Sequence, residues 1–240
     1  MSQNKHNKAK QQEPQVDTEL AIENALGRTE LFFEKNGKKL LTALAVVVLV
    51  ITGYFGYQQF IRKPHIEQAA AAMVFAQNQF AQDSMSVALK GNGKNLGFEQ
   101  IVDEFSGTSQ ANLAYQYMGI CYLNLGEFDK AVKAFESYST VSGSLGILTN
   151  AQNLGLTGDA YSELGNYDKA FEYYTKAANY SDNIATTPTY TFRAALVSLE
   201  KGDYDTANKL FTSIKTKYPQ SQYASDIDKY IALSAQKATK

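Results

Sequence analysis

A short segment recurs three times in the second half of the chain, and it constrains the fold more than any other feature. Each copy reads glycine, polar, aromatic, aspartate, polar, alanine, and the copies begin at Gly126, Gly165 and Gly202. The intervals between these starting points are 39 and 37 residues. Self-similarity at a nearly fixed period predicts an array of like structural units rather than one irregular core.

The residue types within each copy predict a pair of packed helices. A glycine is favoured where a helix ends, and Asp129, Asp168 and Asp205 are expected to cap free N–H groups at the start of the next helix. Each alanine predicts a close helix approach, and an aromatic residue four positions later shares its helix face. Gly119 and Gly158 fall inside helices, where glycine costs about 1 kcal/mol relative to alanine, so we expect close helix crossings there.

This pattern resembles the tetratricopeptide repeat, a pair of antiparallel helices of about 34 residues that stacks on its neighbours. The longer intervals of this chain fit serine- and threonine-rich loops at residues 139–144 and 181–187. The third copy departs from the pattern, because Ala195 and Ser198 stand where the earlier copies have glycine and tyrosine.

A second feature is an uncharged apolar run before the repeats. Residues 40–57 carry no charged side chain, and charged residues close both ends of the apolar run. At about 1.5 Å per residue, residues 40–61 would extend about 33 Å, enough for the roughly 30 Å hydrocarbon layer. We therefore predict a transmembrane helix over 40–61. A cleaved signal peptide is the competing interpretation, although its apolar run is normally only about 7–15 residues.

Lysine and arginine are more frequent before this predicted span than after it. They are Arg28, Lys35, Lys38 and Lys39 on the amino side, against Arg62 and Lys63 on the carboxyl side. Because cytoplasmic flanks carry the excess of basic residues, we expect a cytoplasmic N-terminus and a C-terminal domain across the membrane.

The predicted fold class is all-α, a tetratricopeptide-like helical solenoid preceded by one transmembrane helix. The predicted parts are a partly disordered cytoplasmic leader at 1–39, the span at 40–61 and the helical domain at 64–240. Within that domain we expect an irregular first helix pair at 66–106, repeats at about 112–145, 151–184 and 188–219, and a capping helix at 221–237.

The leader ends in Phe32-Phe33-Glu34-Lys35-Asn36-Gly37-Lys38. Together with one span and a repeat domain, this segment resembles single-pass bacterial envelope proteins of the type of the ancillary SecYEG translocon subunit. The resemblance implies an inner-membrane protein with a periplasmic domain, and as partners the SecYEG translocon or periplasmic chaperones. It implies a protein-binding scaffold or chaperone-like adaptor near translocation or envelope assembly. The alternative is a structural adaptor of another envelope complex, for cell-wall or outer-membrane assembly.

The resemblance also implies a concave groove lined by the first helix of each pair. A blend of apolar and polar side chains there suits the binding of peptides or proteins. The groove residues expected from the family register are Leu113, Gln116, Ile120, Asn124, Gln152, Asp159, Glu163, Phe192, Arg193 and Leu196.

The composition excludes several other functions. A net charge of −1 argues against nucleic-acid binding, which needs a basic excess. Two histidines and one cysteine argue against a His/Cys zinc site, because such sites commonly need three or four ligands. No phosphate loop, dinucleotide glycine pattern or nucleophile elbow is present, so we predict no enzyme, no catalytic residue, no cofactor and no small-molecule substrate. Cys121 is predicted to be a packed thiol.

Overall fold

The computed structural model describes residues 15–239, and those residues form helices and turns without a β-strand. The described residues divide into two compact units between Arg62 and Lys63. The helices are α1 (Gln15–Tyr57), α2 (Lys63–Ala81), α3 (Met85–Lys90), α4 (Phe98–Glu104), α5 (Ser109–Asn124), α6 (Phe128–Ser137), α7 (Ser144–Glu163), α8 (Tyr167–Asn179), α9 (Thr187–Glu200), α10 (Tyr204–Lys217) and α11 (Ile227–Ala238). The disorder predicted for the start of the leader concerns residues outside the described range.

The first unit contains α1, followed by a π-helical turn at Gln58–Arg62. Among the described residues, one helical stretch near the N-terminus is long and apolar enough to cross a membrane. Its most apolar window has a mean hydropathy of 2.1, and none of that window is buried. Its length and composition are those of a membrane span, whereas a core helix of a soluble domain would be mostly covered.

The second unit is a succession of packed helix pairs. Helices α5 and α6, α7 and α8, and α9 and α10 pair as the three sequence copies predict, and each pair also packs on the next. Before them, α2, α3 and α4 pack on one another and on α5. After them, α11 covers α10. The extra residues of the longer intervals lie in the α6–α7 and α8–α9 connections, as expected.

The recurring alanines and aromatics form the interior of these pairs. Ala131, Ala170 and Ala207 are completely buried, and so, within a few per cent, are the aromatics four residues later in each copy. Burying a phenylalanine side chain stabilises a fold by about 1.5–3 kcal/mol. Phe135 and Phe211 therefore supply a large share of the stability of their helix pairs. The packing role predicted for these positions is confirmed.

The predicted helix ends are correct, whereas the predicted helix starts are wrong by two residues. Gly126, Gly165 and Gly202 adopt φ angles of 74°, 70° and 77°, a left-handed conformation that glycine favours at a helix C-terminus. The residues that precede the following helices are Glu127, Asn166 and Asp203, not the predicted aspartates.

The side chains of Asn166 and Asp203 accept hydrogen bonds from the backbone N–H groups three residues later, over 3.2 and 3.1 Å. The predicted capping residues Asp129, Asp168 and Asp205 lie instead in the first turn of their helices. A carboxylate there still interacts favourably with the positive end of the helix dipole, which explains the residue type without a capping hydrogen bond.

The close helix crossings predicted at Gly119 and Gly158 are present. A Cβ atom placed on Gly158 would lie 2.7 Å from Cδ1 of Tyr174, and one on Gly119 would overlap the ring of Phe135. The structure adds a crossing that the repeat pattern did not indicate, because a Cβ on Gly155 would overlap the ring of Tyr190.

Candidate functional site

An open cleft of about 620 Å³ lies between α5, α7 and α9, the first helices of the three pairs. The second helices contribute one residue each from α6 and α8. The lining residues are Ile120, Leu123, Asn124, Phe128, Leu156, Asp159, Ser162, Glu163, Tyr174 and Arg193. Because every element of the cleft belongs to a recurring helix pair, the stacking of the pairs alone creates this concave surface.

Asp159 of α7 is the centre of a polar cluster in this cleft. Arg193 of α9 donates from Nη1 to both carboxylate oxygens of Asp159. The hydroxyl of Tyr174 on α8 donates to Oδ1 of the same carboxylate over 2.6 Å. Burial raises the pKa of Tyr174 well above its usual range, and the charge of Asp159 raises it further. The hydroxyl therefore stays protonated, and one carboxylate joins three helices through charge-assisted hydrogen bonds.

Apolar side chains form the rest of the cleft wall. Ile120, Leu123 and Leu156 line it and are each half-buried. At the end of α7, Glu163 is exposed and makes no hydrogen bond or ion pair within residues 15–239. Apolar surface with a few convergent polar groups is the usual lining of a binding cleft.

The structure brings five of the ten predicted groove residues together in this cleft. They are Ile120, Asn124, Asp159, Glu163 and Arg193. The side-chain amide of Asn124 donates to the carbonyl of Ile120 over 2.9 Å.

The other five predicted residues, Leu113, Gln116, Gln152, Phe192 and Leu196, do not line the cleft. Gln116 is buried, and its amide donates to the carbonyl of Thr149 over 3.3 Å. Phe192 stacks on Tyr223, with 4.3 Å between the ring centroids. Leu113 and Leu196 are partly buried against neighbouring core clusters, and Gln152 is exposed elsewhere on α7.

Sequence reasoning missed five residues of the cleft. Leu123 lies one turn beyond Ile120 on α5, and Leu156 lies one turn before Asp159 on α7, so helical spacing from predicted residues could have found both. The repeat pattern predicts only a packing role for Tyr174, yet its side chain also lines the cleft and its hydroxyl donates to Asp159. The last two are Phe128 and Ser162.

Cys121 is the packed thiol that the sequence predicted. Its side chain is completely buried on α5, and burial raises the pKa of the thiol to about 12. Among the described residues, no group of three or more His, Cys, Asp or Glu side chains is arranged to hold a metal ion.

Comparison with known families identifies the recurring unit. Two family models, both described as tetratricopeptide repeat, match the chain, one at residues 151–183 and the other at residues 113–140 and 191–221. The chain carries tetratricopeptide repeats. Each matched range covers most of one helix pair, α5–α6, α7–α8 or α9–α10. A search of curated proteins found no match to the chain.

The fold class is therefore an all-α, tetratricopeptide-like helical solenoid with one long apolar helix near its N-terminus. Repeats of this kind typically serve as scaffolds for protein–protein interaction and have no catalytic role. Protein partners are the binding class that follows from the repeats.

Proposed function

We propose that this protein is a membrane-tethered scaffold or chaperone-like adaptor that binds partner proteins through the cleft of its tetratricopeptide repeats. The observation that carries the proposal is the open cleft itself, which combines an apolar wall with the Asp159–Arg193 pair and with Glu163, a carboxylate without an ion-pair partner among residues 15–239. Because the side chains of the described residues line this cleft without filling it, its apolar surface is available to a partner.

The proposed location is the bacterial inner membrane, with the leader in the cytoplasm and the repeat domain in the periplasm. The excess of basic residues before the candidate span supports this orientation. Two large apolar side chains of the leader, Phe32 and Phe33, are 55% and 61% exposed, so the leader offers a second contact surface. The proposed partners are the SecYEG translocon or periplasmic chaperones, and a tether to the membrane would raise the local concentration of the domain beside them.

Photo-crosslinking in intact membranes tests the proposed function. A photoreactive amino acid would replace Ile120 or Asn124 in the cleft, with exposed Lys133 on α6 as the matched control position. We expect protein crosslinks from the cleft positions and few from Lys133, with translocation components or periplasmic chaperones among the partners. Crosslinks only to cell-wall or outer-membrane assembly proteins would show that the protein serves one of those complexes instead of translocation. Equal crosslinking yields at all three positions would contradict a binding role of the cleft.

Protease accessibility tests the orientation independently. Protease added after the outer membrane is opened should digest the repeat domain and leave the leader intact. A repeat domain that is digested only after the inner membrane is broken would show the opposite orientation.

A further inference from the structure

The cleft carries one net negative charge that no residue of the described chain balances. Asp159 is neutralised by Arg193, which engages both of its carboxylate oxygens. Glu163 follows Asp159 by one helical turn and has no such partner between residues 15 and 239. An anionic ligand would meet Glu163 and would have to displace Asp159 from Arg193, so the charge of the cleft disfavours phosphates, nucleic acids and free C-terminal carboxylates.

Asn124 also lines a neighbouring cavity of about 580 Å³. This second cavity is formed by the turn between α2 and α3, the first residues of α3 and the end of α5. Its only charged lining residue is Asp83, whose side chain is exposed and makes no hydrogen bond or ion pair in the described part of the molecule. Each cavity therefore presents apolar side chains beside one carboxylate that no described residue pairs with.

From this charge pattern we propose that the two cavities together bind an extended polypeptide segment in which aliphatic side chains alternate with lysine or arginine. The inference rests on the proposed function and names the class of segment that the cleft accepts. Aliphatic side chains would lie against Ile120, Leu123 and Leu156, and basic side chains would reach Glu163 in one cavity and Asp83 in the other. An extended chain suits this surface because the two cavities are neighbours that share Asn124.

Fluorescence anisotropy with the full-length chain in detergent tests the proposal. The probes are three fluorescent peptides with alternating leucine and serine. They differ only in the residue at one matched set of positions, which is lysine in the first peptide, glutamine in the second and glutamate in the third. We expect the lysine peptide to bind about two- to fivefold more tightly than the glutamine peptide, the range for partly exposed ion pairs, and the glutamate peptide to bind most weakly. The preference should disappear at about 1 M salt, where the Debye length is about 3 Å.

Two variants attribute this preference to the cleft. Glu163→Gln and Asp83→Asn should each lower the affinity for the lysine peptide about two- to threefold and leave the glutamine peptide unchanged. Glu200→Gln is the matched control, because Glu200 is exposed at the end of α9 and lines neither cavity.

Equal binding of the lysine and glutamine peptides, or no binding of any peptide, would overturn the inference. A preference for lysine that survives in the Glu163→Gln, Asp83→Asn double variant would overturn it as well. The crosslinking experiment decides the proposed function separately: protein crosslinks from Ile120 and Asn124 without any charge preference would preserve the scaffold and remove only this specificity.

Discussion

Replacing Gly119 by alanine should destabilise the repeat domain, although alanine is the better helix former. A Cβ at this position would lie 2.7 Å from Cζ of Phe135 and still closer to two other atoms of that ring. The ring is 1% exposed and cannot move outward without opening the core. Overpacking of this kind costs about 1–3 kcal/mol, and the helix propensity of alanine offsets about 0.5–1 kcal/mol. We expect a net loss of about 1–2 kcal/mol in the free energy of unfolding.

Urea unfolding of the full-length chain in detergent, followed by far-UV circular dichroism, measures this loss. The matched control is the same substitution in a Phe135→Leu background, where the overlapping ring atoms are absent. There Gly119→Ala should be neutral or stabilise the domain by up to about 1 kcal/mol. If Gly119→Ala stabilises the domain equally with and without the phenylalanine ring, close helix crossing is not the reason for this glycine.

Three further predictions follow from single side chains. Tyr174→Phe should lower the free energy of unfolding by about 1 kcal/mol, because Asp159 loses a charge-assisted hydrogen bond. The double variant Tyr174→Phe, Asp159→Asn should lose less than the sum of the two single variants, and additive losses in urea unfolding would contradict this coupling. Cys121 should react with a thiol reagent only after unfolding, since burial raises its pKa to about 12, and rapid labelling of the folded chain would be inconsistent with a packed thiol. Asp203→Ala should cost about 1 kcal/mol at neutral pH. The hydrogen bonds from Thr206 hold the pKa of Asp203 below its usual value, so the stabilisation by this carboxylate should disappear as the pH falls through that lowered pKa. If Asp203→Ala destabilises the domain as much in acid as at neutral pH, the capping role is refuted.

The fold could be predicted because the repeat pattern combines helix breaks, small residues and aromatics at fixed spacings. The same pattern could not place the helix starts. In each copy two polar residues, separated by the aromatic, follow the terminal glycine, and in the second and third copies both are of a type that caps helices. In the structure the residue directly after the glycine has the non-helical geometry, with φ and ψ of −86° and 73° at Asn166 and −85° and 73° at Asp203. Propensity alone does not decide between neighbouring candidates, which is why helix boundaries are shifted by two residues.

Only half of the candidate site could be predicted, because helical register tells which face a residue occupies but not what covers it. Gln116 lies on the expected helix, yet α7 packs over it and accepts its hydrogen bond. Phe192 is covered by aromatic residues around α11, including Tyr223 and Tyr230. Such coverage depends on contacts with residues outside the copy concerned, and no single copy encodes them.

The polar centre of the cleft can nevertheless be traced to a difference between the copies at two linked positions. In register, Ile120, Asp159 and Leu196 are equivalent residues of the first helices, and each follows the small residue at the helix crossing. The buried aromatics of the same copies are Phe135, Tyr174 and Phe211.

The copies with phenylalanine have an aliphatic residue at the linked position, and the copy with tyrosine has aspartate. Gly158 brings the ring of Tyr174 against α7, and the hydroxyl at the far end of that ring then reaches Oδ1 of the next residue along the helix, Asp159. A buried phenolic hydroxyl needs such an acceptor, because leaving it unpaired would cost about 1–3 kcal/mol. The aspartate in turn holds Arg193 on the following pair. The outer copies have only apolar packing at these two positions. In the middle copy the hydroxyl of Tyr174 and the carboxylate of Asp159 form the electrostatic centre of the cleft.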